Sequence, residues 1–459
     1  MLRKIAVFLL LIFSIQIVSS IPASASETFR DLVARAGILA EKDSGTILFE
    51  NNIHTRHPAD SLTLIMTLFL ASLAVENDDV NDHEIITMTE NAWNGLNDNN
   101  STLDIDPGDT MTFIDLMYSA YVGNASEAAN MIALRLGGTI TSFVAQMNAK
   151  AVELGANNTK FTNPHGGHSE SQYTTAFDIY LIFSEAMRNA LFAEVASTFR
   201  HITEAVDETP SRILTTSNAF MNQSSRYYYR HCISGRDSAT FEGGYSLVAF
   251  AEEDGLALIS VVLGSSVLIH DDDSTDIRNF SESLRLFQWG YNNFAWRDVL
   301  KTTDLLARVP ILHGSGVDFV NARPATSLSL LLNNSVPTNV FIRNIRIFSE
   351  ENDDPLVAPI DAGAVLGEVV ITRDGVEYAR MDLVANTNVS LSGIEYIRGQ
   401  VRELLSTTMA RTIMLILGGL LIIYVLLVVR YNIVRANRLR KIKEAKNDLI
   451  RERHQNFRD

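Results

Sequence analysis

The chain has 459 residues, with 54 Asp or Glu against 38 Lys or Arg for a formal charge of −16, and 46% of its residues are hydrophobic. Such acidity argues against nucleic acid as a partner, and a single cysteine, Cys232, rules out an intramolecular disulfide. A chain this long without covalent staples is expected to build more than one packed core.

Residues 1–25 carry Arg3 and Lys4, then an apolar run over 5–13, then Ala23-Ser24-Ala25, which is the order of a secretory signal peptide. Residues 36–40 and 46–49, joined by Asp43-Ser44-Gly45, predict a β-hairpin. An apolar helix is expected over 61–75, with Asp60 placed to cap its N-terminus. Helices dominate from about 112 to 192, including 143–154 and 174–190. Strands return at 245–251 and 256–263, turning at Glu253-Asp254-Gly255, and a helix follows over 274–291. Strands at both ends of a helical stretch predict a discontinuous antiparallel sheet with a helical insertion, an α/β arrangement.

From about 298 to 393 the pattern changes to short strands at 327–332, 339–348, 367–372 and 378–384, a separate and smaller all-β domain. Residues 394–408 suit an amphipathic helix. Residues 412–429 are 18 without a charge, and at ~1.5 Å per residue they span about 27 Å, close to the hydrocarbon thickness of a bilayer. The tail beyond Val429 has ten Lys or Arg against four acids, so the positive-inside rule puts it in the cytoplasm. With the tail's +6 and the two leader cations set apart, residues 26–411 carry −24, which discourages them from lying flat on an anionic bilayer. The expected organisation is therefore a signal peptide at 1–25, a large domain at 26–296 and a small β domain at 297–393. A juxtamembrane helix at 394–411, a transmembrane helix at 412–429 and a basic tail at 430–459 complete it.

Three stretches carry chemistry. Pro58-Ala59-Asp60-Ser61-Leu62-Thr63-Leu64-Ile65-Met66-Thr67 resembles the Pro-Ala-Ser-x-x-Lys-Ile-Met-Thr segment of serine-type D-Ala-D-Ala carboxypeptidases, the low-mass penicillin-binding proteins. A serine at a helix start sits among unpaired N–H groups that favour a developing anion. A lysine three residues on lies on the same face and takes the serine proton. Here that position is Leu64. Anchoring the alignment on Pro58-Ala59 instead makes Asp60 the nucleophile position and Thr63 the base position, and the base is again missing. In the second stretch the family's Ser-x-Asn falls on Val122-Gly123-Asn124, which keeps the asparagine and loses the serine. In the third, counting back from Gly244-Tyr245, Lys-Thr-Gly falls on Arg236-Asp237-Ser238, or with a gap on Ile233-Ser234-Gly235. An arginine there can hold a substrate carboxylate bidentately, but it does not replace a compact ammonium. Ser238 would crowd a substrate strand laid along the sheet edge.

The likeness extends through Asn148, Glu153-Leu154-Gly155, Asn163-Pro164-His165-Gly166 and Asp178, and reaches Ala358-Pro359-Ile360-Asp361 in the small domain. It implies a β-lactamase/transpeptidase-like fold, with Ser61, Leu64 and Asn124 at the catalytic positions and Arg236 as the substrate-binding residue. It also implies peptidoglycan stem peptides or cell-wall enzymes as partners. No cofactor or metal is called for. Three functions compete: a catalytically degenerate homologue that binds wall peptides or wall enzymes, an active carboxypeptidase, and a membrane receptor for muropeptides or β-lactams. His165 and His168 read as a structural turn rather than a metal pair, and His54 and His57 as solvated loop residues.

Overall fold

The computed structural model describes residues 29–270, 274–406 and 408–455, so the signal-peptide reading lies outside the described residues. The chain forms two compact units, one reaching Arg297 and taking in the returning segment Leu330–Pro337, the other made of Asp298–Ser329 and the chain from Thr338 onward.

The first unit is built on a five-stranded sheet. Strands β1 (Ala36–Glu41) and β2 (Ile47–Asn51) form the expected hairpin. Strands β3 (Cys232–Thr240), β4 (Gly244–Glu253) and β5 (Leu256–Ser265) come almost two hundred residues later. The sheet order is β2-β1-β5-β4-β3, with β1 antiparallel to β5 through pairs such as Gly37–Val262. Nearly every residue of β5 is buried, because both faces of the sheet are covered. Side chains alternate between two cores, as the two-residue strand period requires. Val248, Phe250, Ile259, Val261 and Leu263 join the helical side, while Leu247, Ala249, Leu258 and Val262 face the other.

The helical side contains α1 (Thr63–Glu76), α2 (Phe113–Tyr121), α3 (Ser126–Gly137), α4 (Ile140–Glu153), α5 (Ala176–Ala186) and α6 (Ala190–Ala196). Helix α1 is the centre of it. Its residues 63–69 are buried without interruption, as expected of a helix that is apolar on all faces and packed on all sides. Thr112, Thr139, Thr175 and Asn189 cap α2, α4, α5 and α6 by accepting a backbone N–H three residues on. The opposite face is covered by α7 (Arg278–Asn293), preceded by the short strand Thr275–Ile277, so this helix begins later than the sequence suggested.

The second unit holds β6 (Ala307–Leu312), β7 (Phe319–Pro324), β8 (Ile342–Ile347), β9 (Leu356–Val357), β10 (Val365–Arg373) and β11 (Val376–Ala385). They form one sheet in the order β8-β10-β11-β7-β6-β9, with β6 and β9 parallel. Helices α8 (Gly393–Ser406) and α9 (Thr408–Gln455) follow. Among the described residues, α9 is the one single helix long and apolar enough to cross a membrane.

Candidate active site

The start of α1, the turn after α2 and the end of β3 converge. Residues Asp60–Leu62 form a 3-10 turn leading into α1. Asp60 adopts φ +43°, a left-handed conformation that short polar side chains tolerate best. The expected capping role is not what it performs. Its carboxylate is buried and accepts from Thr240 Oγ1 at 2.6 Å, across the site on β3, and His168 Nδ1 stands 3.6 Å from its other oxygen. Tertiary donors outcompete the local N–H groups because the inserted residue turns the side chain away from the helix.

Ser61 follows. Its N–H, at a helix start and thus the natural donor to a developing oxyanion, donates instead to Ser238 Oγ at 3.3 Å. Its hydroxyl makes no hydrogen bond to any described residue. Leu64 is 1% exposed and packs in the main core, so the face on which a base would stand is filled by hydrocarbon. Thr63, the base position under the other anchoring, is also buried, and its hydroxyl accepts from Gln172 Nε2 at 3.1 Å.

Asn124 takes φ +57° just beyond α2 and presents Oδ1 to Arg236 Nη2. Arg236 is completely buried. It also donates from Nη1 to the Tyr121 carbonyl at 2.5 Å and lies 5.4 Å from the Tyr121 ring centroid. Its acceptors are neutral, and burial lowers the guanidinium pKa while raising that of the Tyr121 phenol. Asp237 faces the other way and accepts from Ser217 Oγ at 2.6 Å. Arg236 and Ser238, alternate residues on one face of β3, reach Asn124 and Ser61, whereas Ser234 bonds the Ala196 carbonyl. The ungapped placement thus sets Arg236 where it meets Asn124, with Nη1 and Nη2 engaged inside the protein and Nε buried without a partner among the described residues.

A second layer fixes this arrangement. Thr67 Oγ1 donates to the Pro164 carbonyl at 2.5 Å, tying α1 to the Asn163-Pro164-His165-Gly166 turn. Gly166 sits so close to Asp60 and Ser61 that a Cβ would collide with their backbone. Within the turn, His165 Nδ1 accepts from the Gly167 N–H at 3.0 Å, and burial depresses the imidazole pKa to about 4. His57, expected to be solvated, is buried and bonds the Gly243 carbonyl through Nε2 at 2.7 Å. His54 is exposed. Sequence reasoning did not single out Thr240 and did not assign His57 or His168 to this site, because each acts through a partner about a hundred residues or more away. Among the described residues there is no cluster of three or more His, Cys, Asp or Glu able to hold a metal.

Comparison with known proteins bears on the family and the fold. A family model described as D-alanyl-D-alanine carboxypeptidase matches residues 22–267. The carboxypeptidase DacC of Escherichia coli is 27% identical over 78% of this chain and 85% of its own, and DacF of Bacillus subtilis is 24% identical over 78% and 87%. Among solved structures, penicillin-binding protein 5 of Haemophilus influenzae superposes with a TM-score of 0.58 at 23% identity, covering 79% of this chain and 99% of its own. The carboxypeptidase DacD of Francisella tularensis gives 0.58 at 21% identity, over 80% and 95%. These structural likenesses establish the fold.

Proposed function

Because the chain belongs to the D-alanyl-D-alanine carboxypeptidase family, we propose that it is a cell-wall protein that keeps the family scaffold but has lost the serine chemistry. The observation that carries this reading is Leu64. A serine hydroxyl is a weak nucleophile until a neighbouring base takes its proton, and loss of such a group costs on the order of 10⁴–10⁶ in turnover. The changes around Ser61 point the same way. The Ser61 N–H is engaged by Ser238, the Asp60 carboxylate is held by Thr240, and Arg236 directs Nη1 and Nη2 to Tyr121 and Asn124.

The ligand of this reading is a peptidoglycan stem peptide ending in D-Ala-D-Ala, or a wall enzyme that handles one. The chain is anchored by α9, with the two folded units outside the cytoplasmic membrane and the basic end of α9 inside. Fluorescent penicillin tests the chemistry, since a stable acyl adduct requires an activated serine. The detergent-solubilised full chain is expected to form no covalent adduct and to release no D-Ala from a pentapeptide. An adduct that disappears in Ser61→Ala would establish an active enzyme instead.

A further inference from the structure

Far from Ser61, at the opposite end of strands β4 and β5, the first unit carries a pocket of about 780 Å³, within the range of small-molecule sites. Its rim includes Glu253 and Asp254 of the β4–β5 turn, whereas the Asp60–Thr240 contact lies beyond the other end of β4. The nine residue steps of β4 separate the two by roughly 30 Å at ~3.3 Å per residue. This pocket is therefore independent of the carboxypeptidase-like cleft.

Its chemistry is specific. Two aromatic side chains are left partly open, Tyr228 at 43% exposure and Trp296 at 41%. Two further tyrosines line the pocket and are held rigid, because Tyr229 and Tyr291 each stack on Phe287, at 5.8 and 6.3 Å between ring centroids. The Tyr291 hydroxyl is shut off from solvent without a hydrogen-bond partner among the described residues, so this residue contributes its ring to the pocket and not its hydroxyl. Burial and the Glu253 carboxylate keep the Tyr229 phenol protonated and hence a donor. Gln288 and Asn292 add amides that both donate and accept, and Glu253 adds an acceptor.

We infer that this pocket is a saccharide-binding site, taking a neutral oligosaccharide whose pyranose rings lie on Tyr228 and Trp296 and whose hydroxyl and acetamido groups meet the tyrosine, amide and carboxylate groups. Flat apolar faces ringed by side chains that both donate and accept match a ligand with apolar ring faces and many hydroxyls. Arg230, which lines the same pocket and donates to His231 Nε2 at 2.7 Å, offsets one of the two rim carboxylates, Glu253 and Asp254. A second site on the same ectodomain would hold the chain on a glycan whether or not the Ser61 cleft is occupied.

Isothermal titration of the full chain, solubilised in a zwitterionic detergent without a sugar headgroup, tests this with a β-1,4-linked trimer of N-acetylglucosamine. The choice of that probe rests on the cell-wall reading above, and the pocket does not. Saturable binding near one site per chain is expected, weakened about tenfold or more by Trp296→Ala and by Tyr228→Ala. Phe241→Ser, which removes a 99% exposed aromatic elsewhere, should leave it unchanged. Both pocket substitutions are at half-open positions, and thermal melting verifies that each variant is folded. Binding of a glucose-based β-1,4 trimer in place of the acetylated one, with the same sensitivity to Trp296→Ala, supports the saccharide site while counting against the wall reading. Absence of any saccharide binding, binding indifferent to both substitutions, or binding only of a lysine-bearing peptide would overturn the proposal. A penicillin adduct on Ser61 would overturn the reading of the cleft and leave this one standing.

Discussion

Ser61, Leu64, Asn124 and Arg236 sit within one constellation, yet each is engaged or enclosed by its own protein. Leu64 is the sharpest case, because a side chain 1% exposed in the core leaves no room for a solvated ammonium. Leu64→Lys alone is expected to lower unfolding free energy by ~3–5 kcal/mol, the cost of an uncompensated buried charge, measured by denaturant melting. Adding Val122→Ser with Arg236→Lys, Asp237→Thr and Ser238→Gly rebuilds the family's polar groups around Ser61. If the cleft has kept the family's shape, that variant acquires slow penicillin acylation; a folded variant that stays unreactive shows that the cleft itself has been remodelled. His165 supplies a pH signature. Its Nδ1 must be unprotonated to accept from Gly167 and Asn100, and its folded-state pKa of about 4 lies below the 6.5 of an ordinary histidine. The unfolded chain therefore takes up the proton first. The stabilisation is complete above about pH 6.5, is lost as pH falls, and the loss levels off near pH 4, amounting to about 2–3 kcal/mol. Melting of wild type against His165→Asn across that window should show a shallower pH dependence in the variant. His57, whose pKa burial also lowers, adds to the slope in both proteins.

At the level of elements, the site is a meeting of one helix start, one turn and one strand end, and glycine sets the separations. Gly166, at φ +77°, lets its turn pass against the backbone of Asp60 and Ser61. Gly166→Ala adds left-handed strain and a backbone collision, and should cost about 2 kcal/mol or more. If the variant melts like wild type, the turn does not buttress Ser61. Much of this layer was readable in advance. The hairpin β1–β2, the pair β4–β5 and helix α1 appear close to the residues expected, because apolar periodicity and turn residues are local signals. The Asp60 cap and the solvated His57 were misread because the partners that decide them, the Thr240 hydroxyl that donates to Asp60 and the Gly243 carbonyl that accepts from His57, are supplied by the end of β3 and the turn after it, some 180 residues later.

For the whole molecule, the testable statement is topology. Protease added outside intact cells should digest the region before α9 and spare a tag placed after Asp459; cleavage of that tag would invert the orientation proposed. The chain's composition and periodicity were enough for the acidic region before α9, the uncharged run in α9 and the spacing of three family motifs, since these depend on residue type and local order. They also revealed that the lysine expected three residues after Ser61 is absent. Folding added what depends on distance through space: Leu64 sealed in the core, Arg236 held by Asn124 and Tyr121, Ser238 on the Ser61 N–H, and an aromatic pocket at the far end of the sheet. Burial and partnership belong to pairs of residues far apart in the chain, so no local pattern encodes them, and they set which groups remain available for a ligand.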